Sequence, residues 1–425
     1  MSESVTIFAN ASQVVTCAGP GRARRGTEMS DAGIRTGVGV AMTDDTVTAV
    51  GPEAYLRKQF RHALEIDCHG GVLTPGLVDS HTHAIFGRPR YEEQELRAAG
   101  HAYMEIARRG GGIHSSVRDL RAHDDAALES LGERRLRRLA SYGITTVEVK
   151  SGYGLSVVDE IRTLRVVQRL SARLSMRIVA TFLGAHEIPL DHRESAATRK
   201  DYIDLVIREM LPTVAREKLA AFADVFCETG VFTVGESRSI LAAARQHGLK
   251  LKLHADELTS CGGAELAAEV GATSADHLAA VSRSGIAALA SSGIVATLLP
   301  GTMLFLGKPE MAPARSLIDA GVPVALATDF NPGTSPTPNL PLVMTLGISQ
   351  LRMSAAEAIV AVTVNGSAAL ALADRIGQIA PGYSADLALF DVKDFREIPY
   401  WYGDRLCVAT WARGKACHQS DLGLS

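Results

Sequence analysis

Short apolar or β-branched runs that alternate with amphipathic stretches narrow the fold of this chain more than any other feature. Eight such runs occupy GLVDSHTH (76–83), ITTVEVK (144–150), RIVATFLG (177–184), ADVFCE (223–228), KLKLHAD (250–256), ATSADHL (272–278), IVATLLP (294–300) and PVALATD (323–329). Helix-spaced apolar residues fall between or after them, at Ala127–Tyr142, Val158–Leu174, Asp201–Phe222, Gly235–His247 and Ser354–Thr363. Strand then helix, repeated over about 250 residues, predicts an α/β protein built on a (β/α)8 TIM-type barrel. A doubly wound open sheet is the alternative, but no glycine-rich phosphate loop such as GxGxxG follows the first run.

The two ends have a different texture. VTIF (5–8) and GVGVAMTDDTVTAVG (37–51) carry β-branched residues around a Thr-Asp-Asp-Thr turn, and ADLALFD (385–391) and LCVATWARG (406–414) resemble them. A chain of 425 residues exceeds one typical domain of ~100–200 residues. The expected organisation is a small β-sandwich domain made of residues 1–70 and 376–425, with the barrel at 71–375 between its halves.

Charge excludes some partners. The chain has 44 Lys plus Arg against 47 Asp plus Glu, a net charge of -3, and no long basic run, so no nucleic-acid partner is expected. Arg22, Arg24 and Arg25 read as a solvated loop. The hydrophobic share of 46% with 21% charged residues excludes a disordered chain. Six cysteines without short paired spacing argue against a zinc ribbon or disulfide scaffold and fit a reduced cytoplasm. The start, MSESVTIF, lacks the basic and apolar regions of a signal peptide. Ser284 to Gly307 is uncharged for 24 residues, long enough to span a bilayer, but Ser291-Ser292-Gly293 and Pro300-Gly301 divide it into helix, strand and loop. No membrane association is expected.

In a barrel of this kind the chemistry lies at the C-terminal ends of the strands. The runs end in, or are closely followed by, His81 and His83, Lys150 and Tyr153, His186, Glu228, His254 and Glu257, His277, and Asp329. Five of the 13 histidines fall at that one face. His81 and His83, two residues apart, point to one side of a strand and can hold one metal. With His254 and Asp329 they make an N/O set suited to zinc, with iron as the substitute, and such a metal activates water. Glu257 stands three residues beyond His254, within reach of a proton on that water; its bland reading is a helix cap, for which Thr259 or Ser260 would serve instead. His277 is either a core histidine satisfied by a carbonyl or a hydrogen-bonding partner of the attacking water or the oxyanion.

TPGLVDSHTH, HADE, SADH and TDFNPG resemble the amidohydrolase superfamily. FGRPR (86–90), YMEIARRGGGI (103–113), KSGYGL (150–155), TFLGAHEIP (181–189), FCETGVF (226–232), HADELTSCGG (254–263) and TDFNPGTSPT (328–337) narrow the resemblance to imidazolonepropionases, the ring-opening enzymes of histidine degradation. The likeness covers nearly the whole chain.

It implies metal ligation by His81, His83, His254 and Asp329, one divalent transition metal per chain, and catalysis by Glu257, His277 and Asp329. It further implies substrate contacts from Arg90, Tyr103, Tyr153, His186, Glu257 and Thr334, with Asn331 and Gly333 near the product, and a cytoplasmic homodimer. An arginine and phenolic donors suit the carboxylate of 4-imidazolone-5-propanoate. Other amidohydrolase activities, deamination of a heterocyclic amine or hydantoin-type ring opening, are the rivals, and a non-catalytic metal-binding protein is a third reading. Two places depart from the family pattern: Arg88 and Pro89 where Phe-Gly-Gly usually continues, and Trp401 and Tyr402 where His and Phe are common. Lys150 closes the second run rather than the fourth, where related binuclear hydrolases carry a carboxylated lysine, so one metal is expected.

Overall fold

The computed structural model describes residues 5–101 and 111–420. Seven strands lead the chain: β1 (Val5–Ala9), β2 (Gln13–Val15), β3 (Ile34–Arg35), β4 (Val38–Thr43), β5 (Thr46–Pro52), β6 (Leu64–Asp67) and β7 (Val72–Pro75). Eight more follow, β8 (Leu77–Asp79), β9 (Ile144–Lys150), β10 (Arg177–Ala185), β11 (Phe222–Cys227), β12 (Lys250–Ala255), β13 (Ser274–His277), β14 (Val295–Leu298) and β15 (Val324–Leu326). The last are β16 (Leu387–Phe390), β17 (Cys407–Ala412) and β18 (Lys415–Gln419).

Strands β8 to β15 form one parallel sheet in sequence order. Parallel neighbours need crossover connections, which the intervening helices supply. The ring closes just beyond the two terminal strands, where Thr82 bridges Phe330. There the Asp329 N–H donates to the His81 carbonyl at 3.0 Å and the His83 N–H to the Phe330 carbonyl at 2.9 Å. The result is the expected eight-stranded barrel. The first and eighth runs differ: β8 stops at Asp79 and β15 at Leu326, and His81, His83 and Asp329 lie on their continuations, which pair with each other instead of forming regular strand.

The helices start where their caps dictate. Asp124 caps Asp125–Ala140, Ser156 caps Val157–Arg173, and Thr233 and Ser354 form capping boxes with Glu236 and Glu357 at the heads of Val234–Gln246 and Ala355–Ala361. The stretch expected at 201–222 begins earlier, at Ala196 behind the Ser195 cap, and passes through a π turn at Val206–Met210. Pro212 lacks the N–H that a regular ladder would use there, and the helix ends at Arg216. Between 284 and 307, helix Arg283–Ser292 and β14 appear as expected, but Pro300 at a first-turn position starts a short helix, Pro300–Phe305, in place of the loop. No helix among the described residues is long and apolar enough to cross a membrane.

The remaining strands make a four-stranded sheet, β5-β4-β1-β6, and a six-stranded sheet, β18-β17-β16-β7-β2-β3. The antiparallel pairing of β7 with β16, Val72 opposite Phe390 and Pro75 opposite Leu387, joins the two ends of the chain. The sheets share a buried cluster that includes Phe8, Val40, Leu73, Leu389 and Trp411, with the Phe8 and Trp411 rings edge-on at 4.8 Å. Lateral pairing and a common core therefore hold the chain ends together beside the barrel's N-terminal rim.

Candidate active site

The strand-end histidines meet at the C-terminal mouth of the barrel. His81 and His83 are buried, as are His254, His277 and Asp329. Nε2 of His81 and of His83 stand 3.6 and 3.5 Å from Oδ1 of Asp329, and Nε2 of His254 stands 3.4 Å from Nε2 of His83. The possible ligand atoms of His81, His83 and Asp329 lie within 4.8 Å of one another, as do those of His83, His186 and His254 and those of His81, His254 and His277. The imidazole cluster is therefore wider than the four-ligand set read from the sequence. His186 stacks on His83 with centroids 4.9 Å apart, while its Nδ1 lies 2.9 Å from the Gly152 carbonyl.

Two of the rings are oriented from behind. His81 Nδ1 lies 2.7 Å from Asp276 Oδ2 and His254 Nδ1 lies 3.1 Å from Asp224 Oδ1, which turns both Nε2 atoms into the site. Burial, followed by the positive neighbour Lys150 for His81 and by His186 for His83, drives both imidazoles well below their usual pKa, so both are neutral near pH 7. Buried Nε2 atoms of His81 and His277 have no hydrogen-bond partner among the described residues. Tetrahedral ligands at about 2.0–2.2 Å from an ion stand about 3.3–3.6 Å apart, which matches the three separations above. Neutral imidazoles, a carboxylate and unpartnered nitrogens at that spacing fit a divalent transition metal.

Below the histidines the barrel interior is charged instead of apolar. Lys150 Nζ contacts Asp224 Oδ2 at 2.7 Å, Glu148 Oε2 at 2.8 Å and Asp276 Oδ2 at 3.7 Å. Lys252 Nζ reaches the Ser80 carbonyl at 2.8 Å, Glu148 Oε2 at 3.0 Å and Asp276 Oδ2 at 3.5 Å. Burial works against the Lys150 ammonium, but Asp224, Glu148 and Asp276 outweigh it and hold its pKa above the ordinary lysine value. An ammonium so paired is not a free amine for carboxylation, in keeping with the single-metal expectation.

Glu257 lies on the loop after β12, with Oε2 3.6 Å from His277 Nδ1. It is not a helix cap. Asp256 caps the helix Gly263–Glu269 instead, accepting the N–H groups of Cys261, Gly262 and Gly263 on Oδ1 and that of Ala264 on Oδ2. Neither Thr259 nor Ser260 has that role. Burial, then the charges of Asp329 and Glu228, pushes the Glu257 carboxyl up to about 8. Asp256, His277 and Asp329 have φ of +48°, +80° and +51°, a left-handed conformation that costs non-glycine residues ~1–3 kcal/mol and clusters at functional sites.

The loop after His83 carries Arg90. The Arg135 guanidinium sits 3.4 Å over the Phe86 ring and donates to the carbonyls of Ala84, Phe86 and Gly87, which fixes this loop. The departures at 88 and 89 are accommodated: the Arg88 N–H donates to Asp119 Oδ2 at 2.6 Å, and its exposed side chain meets Glu92 at 3.4 Å. Arg90 is buried, with Nε 3.6 Å from Glu93 Oε1, and its Nε and Nη1 have no hydrogen-bond acceptor among the described residues. Its guanidinium lies on Gly333 so closely that a Cβ there would stand 1.4 Å from Nη2. Asn331 directs its whole amide into the loop, donating to the Asp329 carbonyl and Thr334 Oγ1 and accepting from the Gly333 and Thr334 N–H groups. Tyr153 is buried with its ring 5.8 Å from His83 and 5.4 Å from His186. Tyr103 lies outside the described residues.

A profile of the Amidohydrolase family matches residues 89–418. The chain is 47% identical over 398 residues to the imidazolonepropionase of Geobacillus kaustophilus, covering 92% of this chain and 93% of that protein. It is 46% identical to that of Parabacteroides distasonis, with 96% and 97% covered, and 43% identical to that of Solibacter usitatus, with 99% of each covered. The chain belongs to the imidazolonepropionase family. Among solved structures, an adenosine deaminase from Xanthomonas campestris with bound zinc superposes with a TM-score of 0.71 at 18% identity, covering 98% of this chain and 93% of that one. E. coli guanine deaminase gives 0.71 at 16%, covering 98% and 100%. At that identity these two share the fold alone with this imidazolonepropionase family member.

Several residues that shape the site escaped the sequence reading. Asp224 and Asp276 behind the histidines, Lys252 in the charged layer and Glu93 beside Arg90 were given no role, although Asp276 stands within the SADH motif. Strand parity held a signal: Lys252 precedes His254 by two positions and Glu148 precedes Lys150 by two, so each faces the same interior. Thr302, whose hydroxyl donates to Asp329 Oδ2, sits on the short helix that was read as a loop.

Proposed function

We propose that this protein hydrolyses 4-imidazolone-5-propanoate to N-formimidoyl-L-glutamate, the activity that names its relatives. It is a metal-dependent hydrolase of cyclic amides. The observation that carries the substrate reading is Arg90, a buried guanidinium with Nε and Nη1 unpartnered among the described residues. That guanidinium is suited to hold the propanoate at two points. A heterocycle without a carboxylate would leave those N–H donors unused, with the Glu93 carboxylate at 3.6 Å as the near counter-charge.

His81, His83, His254 and Asp329 would hold one divalent metal, zinc or iron. When bound, it supplies an activated water and polarises the ring carbonyl. Glu257 takes the proton of the attacking water and delivers it to the ring nitrogen as the C–N bond breaks. His277, whose Nε2 has no partner among the described residues, faces the carbonyl oxygen as it gains negative charge. Tyr153, His186 and Thr334, with Tyr103, Asn331 and Gly333, complete the substrate pocket. The carbonyl carbon, still bonded to the neighbouring ring carbon, becomes a carboxylate of the product, and the freed ring nitrogen stays on the formimidoyl group.

The same reading takes residues 1–70 and 376–425 as one β-sandwich domain beside a barrel of 71–375, supported by the sheet that holds β2 and β3 together with β16 to β18 and by the core that Phe8 and Val40 share with Leu389 and Trp411. It also takes the protein as a cytoplasmic homodimer. Six unpaired thiols fit a reducing compartment, and exposed Tyr400, Trp401 and Tyr402 offer an apolar contact surface. The deciding experiment incubates purified protein with the imidazolone and follows loss of ring absorbance, with metal content measured in parallel. Loss of absorbance without ammonia release supports ring opening; ammonia release would assign a deaminase, and bound metal without turnover a binding protein.

A further inference from the structure

Glu228, just beyond β11, has no part in the ring-opening steps above, although its side chain is buried at the mouth of the barrel. Both of its oxygens reach the loop that carries Glu257 or the residue beside it. Oε2 accepts the N–H of Leu258 at 2.8 Å and of Thr259 at 3.3 Å. Oε1 accepts the N–H of Thr229 at 2.8 Å and the Thr259 hydroxyl. The backbone around Glu228 is fixed in turn: its N–H donates to the Phe232 carbonyl at 3.2 Å, and its carbonyl accepts from Val231 at 3.0 Å. Thr229 and Thr259 tie the two loops a second time through their hydroxyls, 2.7 Å apart.

Glu257 therefore lies between two anchored points, Asp256 on one side and residues 258–259 on the other. Its own carboxylate accepts no hydrogen bond among the described residues, and its near ionisable partner, His277 Nδ1, is 3.6 Å away. A glutamate side chain with no bond at its end takes its aim from the backbone that bears it and from the rotamers that backbone allows. Whatever fixes Leu258 and Thr259 fixes the position of the Glu257 carboxylate.

We infer that Glu228 is a positioning residue for ring opening, its carboxylate holding the 258–259 backbone so that Glu257 meets the transferred proton. The inference rests on the reading of Glu257 as the proton carrier. A carboxylate is required because an N–H donor faces each of its oxygens. A glutamine would turn its NH2 toward one of those donors and leave it unsatisfied. Displacement of a catalytic group by about 1 Å can cost about 100-fold in rate.

The test uses metal-loaded enzyme and compares wild type, Glu228→Gln, Glu257→Gln and the double variant by steady-state kinetics on 4-imidazolone-5-propanoate, with metal content measured for each. Glu228→Gln is expected to lower kcat about 10- to 100-fold with KM and metal content near wild type. The double variant is expected to be no slower than Glu257→Gln alone, because Glu228 acts through a group already removed. A wild-type kcat in Glu228→Gln overturns the inference, and so does a full additional loss in the double variant, which a general loosening of the fold would give. Normal turnover in Glu257→Gln overturns the proton-carrier reading instead, a result distinct from a slow Glu257→Gln beside a normal Glu228→Gln. If Glu228→Gln does not accumulate folded, Thr259→Val removes the hydroxyl bonds to Glu228 Oε1 and to Thr229 while leaving the N–H bonds to the carboxylate. It should lower kcat about three- to tenfold with the same non-additivity, and a wild-type kcat there also overturns the inference.

Discussion

The Thr302 hydroxyl donates to Oδ2 of Asp329 at 2.6 Å, so Oδ1 is the oxygen that faces Nε2 of His81 and of His83. One threonine on the helix after β14 thus decides which carboxylate oxygen is offered to a metal. Thr302→Val keeps the side-chain shape and removes that donor. The expected result is a loss of about 10- to 100-fold in metal affinity, measured by competition with a chromophoric chelator. Unchanged affinity would show that Asp329 is held by other contacts.

Wild-type protein should contain about one transition metal per chain by elemental analysis, and His254→Ala should lose most of it. Two ions per chain would contradict the reading of Glu228 and Lys150, whose polar atoms are engaged elsewhere. Full retention in the variant would remove His254 from the ligand set.

Glu257→Gln preserves volume and removes the proton acceptor. Turnover should fall by about 10²–10⁴ with metal content intact. Loss of metal would make Glu257 a ligand, because no hydrogen bond to its carboxylate among the described residues would otherwise link it to the imidazoles.

Gly333→Ala tests the substrate end without removing a charged group. The new Cβ would stand 1.4 Å from Arg90 Nη2, so the guanidinium must move away from its place on the loop. KM should rise about tenfold or more while metal content stays at the wild-type level. Arg90→Ala should do the same, and Arg90→Lys should recover only part of the loss, since an ammonium lacks the planar two-point geometry. A KM unchanged in Gly333→Ala would place the propanoate elsewhere.

The barrel was legible because its strands are short, apolar and evenly punctuated, and the ligand candidates because histidines are costly to place at strand ends without a task. The rest depended on contacts between residues far apart in sequence. Asp276 gains its meaning from His81, 195 positions away, and Asp224 from His254, 30 positions away. Glu257 was readable as a carboxylate near a ligand, yet only the position of Asp256 shows that the neighbouring residue, not Glu257, caps the next helix. The helix at Pro300 was misjudged because Pro-Gly signals a turn, while a proline at the first helical position leaves no broken hydrogen bond. Of the two departures at 88 and 89, Arg88 is anchored by Asp119.

The barrel's last closure runs through the site itself: His81 and His83 lend their backbone to Asp329 and Phe330, nearly 250 positions later in the chain. During synthesis the first two histidines leave the ribosome at ~5–20 residues per second, long before their partners exist. A nascent chain therefore holds a loose His-x-His pair for many seconds, and the full four-residue nest forms only when the eighth strand docks. With the proposed ligand set, metal capture at full affinity would come at the end of folding, so an ion bound there would report a barrel that has already shut.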